Sequence, residues 1–193
     1  MVYVVIGAMD GILFDNVFNV IKENDYVLFV EPIPYYYEQL KLNAKRLGAE
    51  VDFDNVAISD KHEVVQMAFL DIAEINNYAY HYRGCSSVVQ DSIPINTYLQ
   101  ELNNELLVKI DVQAITFDQL CAKWGIEKID YLQIDCEGYD QKIVDNIDLN
   151  KYGIKSIKFE THYLSNKFIE YFSEKWPQYR YTFTEGDIIF ELL

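Results

Sequence analysis

Apolar residues along this chain come in short blocks separated by polar and glycine-bearing turns, and the blocks alternate between two periods. Uninterrupted apolar runs of four to six residues have the signature of strands buried on both faces, whereas apolar residues spaced three and four apart mark helices. Val2 to Ile6 predicts the first strand. Val17, Val20 and Ile21 form the stripe of a helix expected over Leu13 to Glu23. Tyr26 to Val30 predicts a second strand, Tyr35 to Leu47 a helix closed by Gly48, and Val51 to Phe53 a third strand.

An extended segment follows at Val64 to Leu70. Residues 71–107 carry no clear period and hold Tyr78, Tyr80, Tyr82, Pro94 and Tyr98, with a short amphipathic turn near Leu99 to Leu107. A span of that length between core elements reads as a variable, packed insertion or lid. Regularity returns over Leu107 to Val112. Thr116-Phe-Asp-Gln119 has the form of a capping box that opens a helix to Trp124. Ile129 to Ile134 predicts a buried strand running into Asp135-Cys-Glu137-Gly138, then a helix to Asn146, a strand over Ile154 to Glu160, and a helix over Ser165 to Lys175. Arg180 to Thr184 and Asp187 to Leu192 flank Glu185-Gly186 as a closing hairpin. Strands alternating with helices predict an α/β domain with a mostly parallel sheet. Neither an internal repeat nor a linker interrupts residues 1–193, so a single domain is expected.

The first strand ends in Gly7-Ala8-Met9-Asp10-Gly11, and the second ends on Glu31, 20 residues beyond Gly11. This arrangement predicts a nucleoside site: glycines let a backbone approach a ligand, and a carboxylate ending the second strand can accept ribose hydroxyls. The dinucleotide pattern G-x-G-x-x-G is absent, which argues against a nucleotide-dependent oxidoreductase. Asp10 beside a pyrophosphate is unfavourable, whereas beside an α-amino group and a sulfonium it is favourable. S-adenosylmethionine has both groups and a ribose. A plain βα turn without a ligand is the alternative.

Charge narrows the partners. The chain has 193 residues and a formal net charge of −15, which repels phosphate backbones and disfavours a nucleic-acid substrate. Its cysteines, Cys85, Cys121 and Cys136, are odd in number and lack metal spacing, as suits a reducing compartment. Neither a signal-peptide pattern nor an apolar run of membrane-spanning length is present, so a cytoplasmic protein with no membrane contact is expected.

Several separated segments resemble the FkbM-type S-adenosylmethionine-dependent methyltransferases of the class I methyltransferase superfamily. These are Tyr3-Val-Val-Ile-Gly-Ala-Met-Asp-Gly11, Phe29-Val-Glu-Pro-Ile-Pro34, Asn55-Val-Ala-Ile-Ser-Asp60, and Thr116-Phe-Asp-Gln-Leu120 followed by Ile129-Asp-Tyr-Leu-Gln-Ile-Asp-Cys-Glu-Gly138. Cys85-Ser-Ser-Val88 is a weaker match. The resemblance implies a Rossmann-like α/β fold with helices on both faces and an antiparallel C-terminal hairpin. It also implies transfer of a methyl group to a hydroxyl of a small molecule or sugar, with cofactor contacts from Gly7, Ala8, Asp10, Gly11, Glu31 and Pro32. Val5, Met9, Gln133 and Asp140 depart from the family's usual residues. The chain also begins on its first strand, so the substrate cover is expected from residues 71–107 or from a second subunit in a homo-oligomer.

Asp54 or Asn55, at the end of strand three, could accept the adenine amine by position. Candidate bases are Asp135, Glu137 and His162, with helix capping or an ordinary surface histidine as the alternatives. A divalent cation such as Mg²⁺ on Asp135, Glu160 and His162 is a further option, given hard oxygens plus one imidazole. A non-catalytic module that binds S-adenosylmethionine or its nucleoside and works through an interface is the rival reading.

Overall fold

The structure, a computed structural model, describes residues 1–13, 17–71, 86–88, 107–161 and 164–193. Five parallel strands form its centre: β1 (Val2–Ile6), β2 (Tyr26–Val30), β3 (Glu50–Asp54), β8 (Tyr131–Ile134) and β9 (Ser156–Glu160). Two strands close it antiparallel, β11 (Asp187–Leu192) on β9 and β10 (Tyr179–Phe183) on β11. The order across the sheet is β10-β11-β9-β8-β1-β2-β3. β1 and β2 are apolar throughout because both of their faces are covered.

Register assigns the two faces. Val4 lies beside Leu28 and Leu132, and Ile6 beside Val30 and Ile134. These residues share a core with α2 (Phe117–Trp124), α3 (Asp140–Asp145) and α4 (Asn166–Lys175). Tyr3, Val5, Val27 and Phe29 point the other way and pack with Val17, Phe18 and Leu40, the last from α1 (Pro34–Ala44). Helices therefore cover both faces. α2 starts as expected: Gln119 N–H donates to Thr116 Oγ1 at 3.1 Å, Thr116 N–H donates to the Gln119 side chain at 3.0 Å, and Gly125 closes the helix at φ 64°.

Two expectations need correction. The stretch expected to be helical over Leu13 to Glu23 contains, among its described residues, only a 3-10 turn over Val17–Asn19. Local polar groups compete with a longer helix there: Asp25 accepts from Lys22 N–H at 2.8 Å and Asn24 turns left-handed at φ 72°.

A second sheet is the other difference. β4 (Ala57–Ile58), β5 (Glu63–Leu70), β6 (Ser86–Val88) and β7 (Leu107–Ile115) stand in the order β4-β7-β5-β6. β5 pairs antiparallel with β7 over its full length, from Glu63 opposite Ala114 to Leu70 opposite Leu107. Within the expected insertion 71–107, the described residues form β6, which pairs with β5; the other residues from 72 to 106 lie outside the described residues. Met67, Phe69, Val112 and Ala114 of this sheet pack with Ile33 and Tyr36 at the start of α1, and Met9 lies against the same cluster. The second sheet thus packs against Met9 of the loop at the end of β1. Among the described residues, no helix is long and apolar enough to cross a membrane.

Aromatic packing holds α4 on the sheet. Phe172 is fully buried, with ring centroids 4.1 Å from Phe190, 4.6 Å from Trp176 and 5.8 Å from Phe159. Phe172→Ala should lower the unfolding free energy by about 3–5 kcal/mol, the range for a large-to-small core change. Urea unfolding of the variant checks this; a loss under about 1 kcal/mol would show that the cluster is not tightly packed.

Candidate active site

All five parallel strands end on the same edge of the sheet. The strand order reverses at β1, which has β2 on one side and β8 on the other, and such switch points open a crevice beyond the strand ends. Gly7, Glu31 and Asp135 are the first residues past β1, β2 and β8, and Asp54 and Glu160 are the last residues of β3 and β9. Gly7 N–H and Ala8 N–H donate to Val30 C=O at 3.0 and 3.2 Å, and Asp135 N–H donates to Ile6 C=O at 3.0 Å. The three central ends are therefore laced together by main chain.

The glycines are needed for a reason internal to the protein. Gly7 has φ 77°, and a Cβ there would lie 1.7 Å from the Asp135 carbonyl oxygen. Gly11 has φ 75°, and a Cβ would lie 2.5 Å from the Phe18 ring and 2.8 Å from Leu40. Protein atoms fill both spaces, so close chain packing by itself requires glycine at these positions. Ala8 is buried in the core below. Asp10 folds its carboxylate onto its own loop, where Oδ1 accepts from Ile12 N–H at 2.9 Å and Leu13 N–H at 2.8 Å. Asn43 of α1 donates to the Asp10 carbonyl at 2.8 Å and ties the loop to the helix.

Glu31 joins two segments. Its Oε2 accepts from Met9 N–H and its Oε1 from Ile33 N–H, each at 2.8 Å, and only 3% of the residue is exposed. Burial pushes its carboxyl up to about 7 against the pull of those two N–H groups, with the Asp10 charge adding to the rise. Met9 holds a left-handed φ of 47°, which presents its N–H to the carboxylate. Asn55 Nδ2 donates to the carbonyls of Glu31 at 2.7 Å and Pro32 at 3.1 Å, fixing the turn after β2. Asp54 is engaged elsewhere: its oxygens accept from Lys123 Nζ at 2.9 Å and Trp124 Nε1 at 2.8 Å.

Beyond β8 and β9 the structure gathers carboxylates. Asp135, Glu137 and Glu160 each offer an oxygen within 4.8 Å of the others'. Burial pushes Glu137 up to about 9, with the charges of Glu160 and Asp140 adding to the rise. Glu137 also adopts a left-handed φ of 53°, followed by Gly138 at 91°. Asp140 holds this turn by accepting from Cys136 N–H at 3.2 Å and Gly138 N–H at 3.1 Å, and burial pushes it up to about 6. The carboxylates could bind a cationic ligand group, move a proton or hold a hard divalent cation. Of the cation set Asp135, Glu160 and His162, the first two come together and Glu137 joins them; His162 lies outside the described residues.

Sequence reasoning missed two features here. Asp140 is a turn clamp whose signal was an acid two residues after Gly138. Lys158 is buried within β9, opposite Gln133 of β8, and its Nζ lies 2.9 Å from Asp187 Oδ2. A lysine between Ile157 and Phe159 was the available signal.

A family model described as methyltransferase FkbM domain matches residues 6–185. No curated protein and no solved structure matches the chain.

The Glu31 environment sets a pH dependence. Its carboxyl rises from an ordinary 4.5 to about 7 on folding, so the folded state binds the extra proton between those values. The resulting stability is complete below about 4.5 and is lost as pH rises through about 7. Thermal unfolding from pH 5 to 8 should show melting temperature falling across that window, with a shallower fall in Glu31→Gln. An identical slope in both proteins would assign the titration to another group.

Proposed function

The chain belongs to the methyltransferase FkbM domain family, and on that premise we propose that it transfers a methyl group from S-adenosylmethionine to a hydroxyl of a small molecule or sugar. The observation that carries this reading is the set of acids at the carboxyl ends of adjacent parallel strands: Glu31 after β2, Asp135 and Glu137 after β8, and Glu160 ending β9.

These residues fit the cofactor chemically. Each Glu31 oxygen accepts one main-chain N–H and retains capacity for a further donor, as a ribose hydroxyl requires. An acidic surround suits a ligand with an ammonium and a sulfonium. When bound, S-adenosylmethionine supplies the electrophilic methyl group.

The protein's part is to bind, orient and take a proton. Gly7, Ala8 and Gly11 shape the loop, while Asp10 fixes its exit. Glu31 with Pro32 receives the ribose, and Asn55 suits the adenine edge better than Asp54, whose oxygens already face Lys123 and Trp124. Asp135 is the base we favour. Burial makes Glu137 resist ionisation near neutrality, so it acts better as a hydrogen-bond donor than as a base. His162 is the rival base. The three-carboxylate cluster favours one second reading, in which Mg²⁺ or Mn²⁺ on Asp135, Glu137 and Glu160 orients the acceptor. The net charge of −15 disfavours a nucleic-acid acceptor.

The test is a screen of hydroxylated acceptors for release of S-adenosylhomocysteine. Asp135→Asn should lower turnover about 10²-fold or more while cofactor affinity changes little. Loss of activity in EDTA with recovery in Mg²⁺ would select the cation reading, and indifference would select a direct base. Wild-type turnover in Asp135→Asn would move the role to His162. Cofactor binding with no turnover on any acceptor would support a non-catalytic module.

A further inference from the structure

The two edges of the central sheet differ in a way that points outward. β3, at one edge, reads Glu50-Val-Asp52-Phe-Asp54, with three carboxylates on alternate residues of one face. A second copy pairing there antiparallel about Asp52 would set like charges directly opposite each other, which destabilises a sheet. β10, at the other edge, reads Tyr179-Arg-Tyr181-Thr-Phe183 and has no acid at all, in a chain of net charge −15. Among the described residues β10 pairs with β11 alone.

The outer side of β10 is also chemically prepared. Leu193 N–H donates to Gln178 C=O, and Thr184 N–H donates to Asp187 C=O. By the alternation of an antiparallel ladder, Arg180 and Thr182 then carry the bonds to β11, and the main-chain groups of Tyr181 and Phe183 face away from the sheet. Tyr179 N–H is already used, donating to Trp176 C=O. On one face of this edge, Tyr181 is 44% exposed, Phe183 57% and Leu192 45%. Register puts Leu192 beside Tyr179 and Phe190 beside Tyr181, so these exposed groups continue the buried core outward, with no helix over them among the described residues. The Tyr181 ring meets Phe190 tilted, at a centroid distance of 5.6 Å, and Phe183 edge-to-face at 5.7 Å, which holds the aromatic strip in place.

We propose that β10 is the pairing edge of a two-fold homodimer, joining antiparallel to β10 of a second copy about Tyr181 and extending the central sheet across the interface. The strand is self-complementary in this register. Tyr181 meets Tyr181 of the partner subunit, and each main-chain N–H donates to the other's carbonyl. Phe183 N–H meets the carbonyl of Tyr179 of the partner subunit, and Arg180 stands opposite Thr182 of the partner subunit, so no like charges meet. A second copy is the occupant because β10 pairs with itself in this register without setting like charges opposite one another, as an isologous two-fold contact requires. The acids of β3 block the equivalent contact at the other edge.

Sedimentation velocity and light scattering test this, with the wild type expected at twice the 22.7 kDa chain mass. Tyr181→Glu and Tyr181→Lys each place like charges opposite one another at the axis, so each should shift the protein to the monomer mass. Mixing the two variants should restore a dimer, because Glu then meets Lys. Val64→Glu, at an exposed site on β5, should leave the dimer intact. Phe183→Glu serves as a second edge variant should a Tyr181 variant melt early. A wild type that stays at chain mass at high micromolar concentration would overturn the proposal. So would a dimer that survives the edge substitutions, or two monomeric variants that fail to recombine.

Discussion

Glu31 closes the end of β2 with both carboxylate oxygens engaged by main-chain N–H groups of separate segments, Met9 after β1 and Ile33 before α1. Hydrogen bonds to a charged acceptor contribute about 1.5–3 kcal/mol each, and burial of that charge opposes them. The balance leaves the carboxyl near neutrality and fixes three parts of the site at once. The β1 loop adopts the backbone that presents Met9 N–H, the start of α1 is held against the sheet, and a carboxylate stands at the switch point with acceptor capacity remaining. Gly7 reinforces the same platform from below, since only a residue without Cβ lets the loop pass the Asp135 carbonyl.

A platform built this way places acids where a cationic ligand would meet them. The turn after β8 is strained on purpose of geometry: Glu137 and Gly138 both have positive φ, and Asp140 stabilises the turn through two N–H groups. That turn brings Glu137 to Asp135 and to Glu160 from the next strand. Such carboxylates repel one another; burial first, and then the charges of Glu160 and Asp140, make Glu137 resist ionisation. A proton, a cationic ligand or a metal ion relieves the repulsion, so binding at this cluster and the protonation of its members are coupled.

Much of this was legible in the sequence where the cause is local. β1, β2 and β8 are apolar because they are covered on both faces, and the Thr116–Gln119 box sets the start of α2 within four residues. The antiparallel close of the sheet was readable from Glu185-Gly186 between two strand patterns. Non-local causes were not readable. The second sheet needs β5 to find β7 across a long intervening segment, and neither strand announces its partner. The packing constraint on Gly7 comes from the Asp135 carbonyl, which is distant in sequence. The helix expected after Leu13 gave way to side-chain bonds at Asp25, and Lys158 is tolerated in β9 because Asp187 of β11 neutralises it.

We propose that the strand-end platform holds S-adenosylmethionine through Glu31. Calorimetric titration of S-adenosylhomocysteine into the wild type and into Glu31→Ala tests it most directly, with folding of the variant verified by its melting curve. Binding to the wild type is expected, with a loss of about 1.5–3 kcal/mol in the variant, equal to roughly 10- to 150-fold in affinity. Equal affinity in a folded Glu31→Ala protein, or no binding to the wild type, would contradict it.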